Sequence, residues 1–91
     1  MAGEVGRFLR IERRQGDGWS VIPLGERVKV RELVQVLADD GSPRLLFHIG
    51  YMDGLRSGQR VTYLGQPFAL REVSDSKRLV GLELRCERVE A

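Results

Sequence analysis

Few side chains in this chain are of the types that perform chemistry. His48 is the only histidine, so a multi-histidine metal site or a pair of relay histidines is excluded. It stands between Phe47 and Ile49, which favours a ring packed in a strand with a hydrogen-bond partner over a catalytic ring. Cys86 is the only cysteine and has no activating neighbours beyond arginine, so it is predicted to be a small buried hydrophobe.

Two further patterns resemble binding motifs but have simpler interpretations. Asp39 and Asp40 are the types of residue that coordinate a cation, yet Gly41, Ser42 and Pro43 follow them, which is typical of a turn. The Gly-Asp-Gly sequence at residues 16–18 lacks the lysine and the helix of a phosphate-binding loop. The sequence therefore predicts a protein that is not an enzyme and that has no cofactor and no metal site.

Length and composition predict one globular domain spanning residues 1–91, with flexible ends at 1–6 and 90–91. Hydrophobic residues make up 42% of the chain and charged residues 31%, which is ordinary for a folded protein. Thirteen of the 15 basic residues are scattered arginines, a pattern that suits ion pairs better than a basic patch that binds the phosphates of a nucleic acid. Since there is no signal-like N-terminus and no long apolar run, a cytoplasmic protein without a membrane partner is expected.

Apolar residues in the first half of the chain recur mainly with a period of two. A half-buried strand is predicted from Phe8 to Arg14, and a short one from Trp19 to Ile22. Residues 27–38 fit either a strand, with Val28, Val30, Val34 and Val36 on one face, or a helix with an apolar stripe. The four valines favour the strand, because β-branched side chains lose less rotamer freedom on a pleated surface.

The second half of the chain predicts two hairpins and a final strand. One hairpin turns at residues 39–43, the other at Gly65 and Gln66, and the last strand extends over residues 79–89. This pattern predicts an all-β fold: a small single-domain antiparallel β-barrel or sandwich of about six strands with little helix. The predicted interior includes Ile11, Val61, Phe68, Leu82 and Leu84, and the last strand should point Val80, Leu82, Leu84 and Cys86 to one face.

The turn at residues 39–43 and the loop at residues 52–58 are candidates for interaction with other molecules, because both are polar and glycine-bearing. Their candidate contact residues, with the tyrosine that precedes the second loop, are Asp39, Asp40, Ser42, Tyr51, Met52, Asp53, Leu55 and Arg56. Phe47, Tyr63 and Phe68 lie where the core needs them, which leaves Tyr51 and Trp19 as the aromatic residues available for exposure. Exposed aromatics and arginines keep open an alternative function, a small β-barrel module that binds nucleic acid.

Three segments of the second half resemble a known family. Residues 60–71 have the sequence Arg-Val-Thr-Tyr-Leu-Gly-Gln-Pro-Phe-Ala-Leu-Arg, and residues 82–87 have the sequence Leu-Glu-Leu-Arg-Cys-Glu. With residues 47–55, and more weakly residues 7–13, they resemble the phage head-tail joining family, also called head closure or adaptor proteins. The resemblance covers roughly half of the chain and rests on structural rather than catalytic residues.

The resemblance implies a structural protein of a tailed phage or prophage that forms a ring at the head-tail connector. Its implied partners are further copies of itself, the portal or adaptor protein, and tail proteins, with DNA passing through the lumen without sequence recognition. A monomer is compatible with this function when the protein is free. The implied location is the bacterial host cytoplasm during assembly and the virion afterwards. In that family the excursion between the second and third major strands is often long and partly helical, whereas here only residues 39–43 separate the strands.

Overall fold

The computed structural model describes residues 7–89, which form one antiparallel sheet of eight strands and contain no helix. The strands are β1 (Phe8–Gln15), β2 (Gly18–Val21), β3 (Val28–Lys29), β4 (Glu32–Leu37), β5 (Pro43–Ile49), β6 (Arg60–Tyr63), β7 (Gln66–Asp75) and β8 (Leu82–Arg88). The predicted all-β antiparallel class is confirmed, with eight strands instead of about six. The predicted flexible ends, residues 1–6 and 90–91, lie outside the described residues.

The strands follow the order β2-β1-β6-β7-β8-β5-β4, and β3 also pairs with β1. This ladder of strand pairs does not close into a barrel. β3 and β4 are successive parts of one segment that changes partner between Val30 and Arg31. Val30 N donates to Arg7 O at 2.9 Å, whereas Arg31 N donates to His48 O at 2.8 Å. The segment therefore connects β1, near one edge of the sheet, with β5 beside the other edge.

The strand interpretation of residues 27–38 is confirmed, but the single valine face predicted for them is wrong. Val28 and Val30 are buried, whereas Val34 is 38% exposed and Leu33 instead lies opposite the buried Phe47. The change of partner after Val30 shifts the alternation by one residue, because side chains in a strand point to opposite faces in turn. A period of two cannot continue through such an irregularity.

Phe47 lies at the centre of the core and is fully buried. Its ring meets that of Tyr63 at a centroid distance of 5.1 Å and that of Phe68 at 6.3 Å, both edge to face. Such contacts add about 0.5–1.5 kcal/mol to the burial of the rings themselves. The interior positions predicted at Ile11, Val61, Phe68 and Leu84 are confirmed, and Leu82 is partly buried against the same cluster.

The last strand begins at Leu82, later than predicted, and Val80 is 74% exposed rather than facing the core. Gly81 explains the difference, because its φ of 137° lies in a region that residues with a side chain rarely adopt. A Cβ atom at this position would approach Ile49 O to 2.2 Å. Ser76 N donates to Gly81 O at 3.0 Å, so residues 76–81 form a loop and the alternation begins only after it.

Candidate functional site

The first predicted interaction turn is built around Asp40. Its Oδ1 accepts hydrogen bonds from Ser42 N at 2.9 Å and from Ser42 Oγ at 2.6 Å. These bonds favour the ionised carboxylate, so the Ser42 side chain, followed by its backbone, lowers the pKa of Asp40. Gly41 takes a φ of 86° to complete the turn. Asp40 and Ser42 therefore shape the turn, and Asp39 is an exposed carboxylate available for a contact.

The second predicted loop, placed at residues 52–58, lies within residues 50–59 between β5 and β6 and is held in place by a residue that the sequence did not indicate. Gln59 is buried; its Oε1 accepts from Arg56 N at 3.0 Å, and its Nε2 donates to Gly54 O at 2.7 Å. Gly58 N and Gln59 O both bond to the backbone of Leu70 at 2.9 Å. A polar residue at the start of an alternating strand gives no signal of this role. The bonds fix a loop that would otherwise be mobile.

Within this loop the candidate residues divide by burial. Met52 and Leu55 are half-buried and pack against the core, which makes them structural. Asp53 and Arg56 are exposed, and Tyr51 is 63% exposed. The expectation that Tyr51 is accessible is therefore confirmed.

The structure does not bring the turn and the loop together. The turn precedes β5 and the loop follows it, so the seven residues of that strand separate them. At about 3.3 Å per residue the separation is about 20 Å. The molecule thus has two distinct candidate contact surfaces, one at each end of β5.

The end that carries Tyr51 also exposes apolar residues from other parts of the chain. Leu24 and Tyr51 line the same open cavity of about 270 Å³, and Arg31, which also lines it, donates from Nη1 to Val80 O at 3.0 Å. We call this surface the Tyr51 patch: Leu24, Arg31, Tyr51, Met52 and Val80. Exposed apolar patches with a polar rim mark contacts with other macromolecules. Leu24 and Tyr51 are distant in the sequence, so the spacing of residue types gives no signal that they share a surface.

On the outer face of the sheet, arginines are paired with glutamates over β7, β8, β5 and β4. Glu87 binds both Arg44, at 2.8 Å, and Arg71, at 2.7 Å. Arg85 lies 3.4 Å from Glu72 across the neighbouring strands. Arg78 of the loop before β8 pairs with Glu32 of β4. On this half of the sheet Arg44, Arg71, Arg78 and Arg85 form the ion pairs predicted for the scattered arginines.

The outer face of β2, β1 and β6 has a different charge balance. We call it the arginine face; its charged residues, with those of the adjoining loop, are Arg10, Glu12, Arg14, Glu26, Arg27, Lys29 and Arg60. Arg60 Nη2 lies 2.7 Å from the buried Glu12, and Arg10 lies 3.6 Å from the same carboxylate. Basic residues therefore outnumber acidic ones on this half.

Aromatic rings hold the guanidinium groups of the arginine face. The guanidinium carbon of Arg14 lies 5.3 Å from the centroid of Trp19, and that of Arg60 lies 4.7 Å from it. Arg27 lies 4.0 Å from the ring of Phe8. Trp19 is therefore half-buried between arginines rather than fully exposed. Stacking leaves the N–H edges of a guanidinium available to an anion, although those of Arg60 are already bound to Glu12.

The two chemically distinctive side chains of the sequence are both buried. His48 is 5% exposed, and neither of its ring nitrogens has a hydrogen-bond partner among the described residues, so the partner expected for it is not found. Cys86 is fully buried, as predicted. Burial raises the pKa of its thiol to about 12, because the thiolate would lose its hydration. Cys86 is therefore protonated at neutral pH.

Among residues 7–89, no group of three or more His, Cys, Asp or Glu side chains is placed to hold a metal ion. No helix of this part of the chain has the length and hydrophobicity to cross a membrane. Comparisons with protein-family models, curated proteins and solved structures gave no match.

Proposed function

We propose that this protein is a structural subunit of a tailed phage or prophage that forms a ring at the head-tail connector. The observation that carries the proposal is the pair of contact surfaces at opposite ends of β5, since a connector subunit must bind one neighbour above and another below. The resemblance supports it as well, because its best-fitting segments form β6, β7 and β8, three adjacent strands in the middle of the sheet. In this function the open sheet serves as the scaffold, and the segment of β3 and β4 connects β1 with β5.

The two ends suit different kinds of contact. Tyrosine contributes a large rigid area at low entropic cost, so Tyr51 is placed to anchor an apolar interface. At the other end Asp39 offers charge, which selects partner and orientation more than it adds affinity. Copies join through a heterologous contact, which closes a ring when the rotation between neighbours divides a full turn. The ring assembles in the cytoplasm of the bacterial host on the portal or adaptor protein, receives the tail and lets DNA pass without reading its sequence.

Deletion of the gene in the strain that carries it tests the proposal. We expect filled heads and separate tails to accumulate, and the wild-type gene supplied in trans to restore joined particles. Normal yields of infectious particles after deletion would refute the connector function. The same complementation assay resolves the roles of the two ends.

Tyr51→Ala and Asp39→Lys should each fold normally and fail to restore joining, because both side chains are exposed and contribute little to stability. Asp40 is left unchanged because it shapes the turn. Asp17→Lys is the matched control, since it reverses the same charge on an exposed turn outside both surfaces. Restoration of joining by Asp39→Lys as complete as by Asp17→Lys would eliminate the docking role of the turn.

The arginine face favours a second candidate function, a nucleic-acid-binding module. Stacked guanidinium groups are suited to phosphate oxygens, and an excess of basic residues attracts a polyanion at low salt. The connector function predicts only weak binding without sequence preference. A binding module predicts sub-micromolar affinity for a short single strand at physiological salt.

Fluorescence anisotropy with labelled single-stranded DNA, measured over a range of salt concentrations, separates the two functions. Arg14→Glu should weaken DNA binding, whereas Arg85→Glu, on the half of the sheet where arginines are ion-paired, should change DNA binding little. Sub-micromolar binding that is lost in Trp19→Ala or Tyr51→Ala would favour the module over the connector. Weak binding that falls steeply with salt is the result expected of the connector.

A further inference from the structure

β4 forms one edge of the sheet, with β5 on one side and no described strand on the other. Ala38 N donates to Ser42 O at 2.8 Å, so the backbone groups of Ala38 point towards β5. The direction alternates along an antiparallel strand, and therefore the N–H and C=O groups of Leu33, Gln35 and Leu37 point to the free edge. Pro43 lies opposite Leu37, a position where no N–H is needed.

Apart from Glu32 at its start, this edge strand carries none of the features that usually block strand addition. From Leu33 to Ala38 there is no charged residue, no proline and no glycine. Leu37 is 72% exposed and Val34 is 38% exposed. Natural edge strands are protected by lysine, proline, bulges or shortness. The opposite edge shows such protection, because β2 has only four residues and Pro23 follows soon after it.

We propose that the β4 edge binds the β4 edge of a second copy, antiparallel, about a two-fold axis at Gln35. This register pairs Gln35 with Gln35 and Leu33 with Leu37 of the second copy. All of these residues direct backbone groups outward, so each pair forms two hydrogen bonds. On the core-facing side Leu33 packs against Leu37 of the other copy, and on the outer side Val34 packs against Val36. The exposed apolar side chains of the edge are thereby covered.

Charge complementarity supports a second copy as the occupant and fixes the register. With Gln35 on the axis, Arg31 of each copy stands opposite Asp39 of the other, and both residues are exposed. A shift of two residues in one direction would place Glu32 opposite Asp40, where like charges repel. A shift in the other direction would place the apolar Leu37 opposite Arg31. Only the two-fold register both packs Leu33 against Leu37 and places Arg31 opposite Asp39.

The dimer and the connector proposal both use Asp39, but Leu37 belongs only to the dimer and Tyr51 only to the connector, so the two proposals can be tested separately. A two-fold contact uses the same surface on both copies, so it cannot be the heterologous contact that closes a ring. It describes the free protein, in which the β4 edge is covered before assembly. Its failure would leave the proposed ring untouched, and failure of the ring would leave the dimer untouched.

Sedimentation equilibrium of the purified protein over a wide range of concentrations tests the dimer. We expect a monomer-dimer equilibrium that Leu37→Lys abolishes, because it places a charge at the covered edge. Leu64→Lys is the matched control: Leu64 is comparably exposed but lies outside the edge, and its substitution should leave the dimer intact. Equal loss in both variants, or a monomer at every concentration, would overturn the proposal.

A charge exchange tests the register. Asp39→Arg should weaken the dimer about ten-fold or more, because arginines then face each other across the interface. The double variant Arg31→Asp with Asp39→Arg should restore it. Hydrogen exchange provides a measurement on the unaltered protein: the amide protons of Leu33, Gln35 and Leu37 should become protected as the concentration rises. Unchanged exchange at these three amides would show that this edge does not pair with itself and is open to a strand of another protein.

Discussion

Replacing Leu84 with alanine would open a cavity in the most enclosed part of the core. Leu84 is fully buried and stands opposite Phe47 on β5 and Val73 on β7. Because β8 is hydrogen-bonded on both sides, its neighbours have little freedom to move into the space. The cost should therefore fall in the upper part of the range for buried leucines, about 3–5 kcal/mol. A domain of this length has a free energy of unfolding of about 5–14 kcal/mol, so the loss is a large share.

Urea titration followed by Trp19 fluorescence and by far-ultraviolet circular dichroism measures this cost. The unfolding midpoint should fall without a change in the slope of free energy against urea. Leu37→Ala is the matched control: it removes the same atoms from a side chain that is 72% exposed, and should change the free energy by no more than about 0.5 kcal/mol at low protein concentration. A cost at Leu84 below about 1 kcal/mol, or a spectrum dominated by helix, would refute the assigned core.

Three other changes test particular features. In urea titration, Gly81→Ala should destabilise the protein by more than Gly65→Ala. Both glycines have positive φ, but only at Gly81 would a Cβ atom meet a backbone oxygen. An equal loss of unfolding free energy in the two variants would contradict this close approach. Burial raises the pKa of Cys86 to about 12 against 9.0 for the free thiol, so the stability that the buried thiol contributes is present below pH 9 and is lost as the pH rises towards 12. The urea midpoint of the wild type should therefore fall over this pH interval relative to that of Cys86→Ala, and the absence of such a fall would contradict the buried thiol. Gln59→Ala should remove the hydrogen-bond partners of Arg56 N–H and Gly54 C=O and accelerate amide exchange in residues 54–58. Unchanged exchange there would show that other contacts hold the loop.

The strands that alternate cleanly were predicted well because each has one face in the core. Ile11 on β1, Phe68 on β7 and Leu84 on β8 are inward as the pattern indicated. Val34 and Val80 were misplaced for reasons that a local period cannot show. One follows a change of strand partner, and the other precedes a glycine with a conformation that ends the alternation.

The surfaces were predicted less completely, because they combine residues that are distant in sequence. The turn and loop residues were correctly identified as polar connections, but Leu24 joins the Tyr51 patch only through tertiary contact. The position of Trp19 between Arg14 and Arg60 depends on the pairing of three strands. Gln59 fixes its loop through hydrogen bonds that no spacing of residue types reveals.

The segment of residues 28–37, which pairs first with β1 and then with β5, has a consequence for how fast the chain folds. β1 pairs with β6 from the distant half of the sequence, and β5 pairs with β8, so both pairings close long loops. Chains dominated by such contacts fold in milliseconds to seconds rather than microseconds. Val30 is buried where the segment passes from β1 to β5, so we expect the two halves of the sheet to form in one cooperative step. Until that step is complete, the uncharged part of β4 from Leu33 to Leu37 is exposed on both edges, and rapid synthesis at high concentration would favour aggregation over folding.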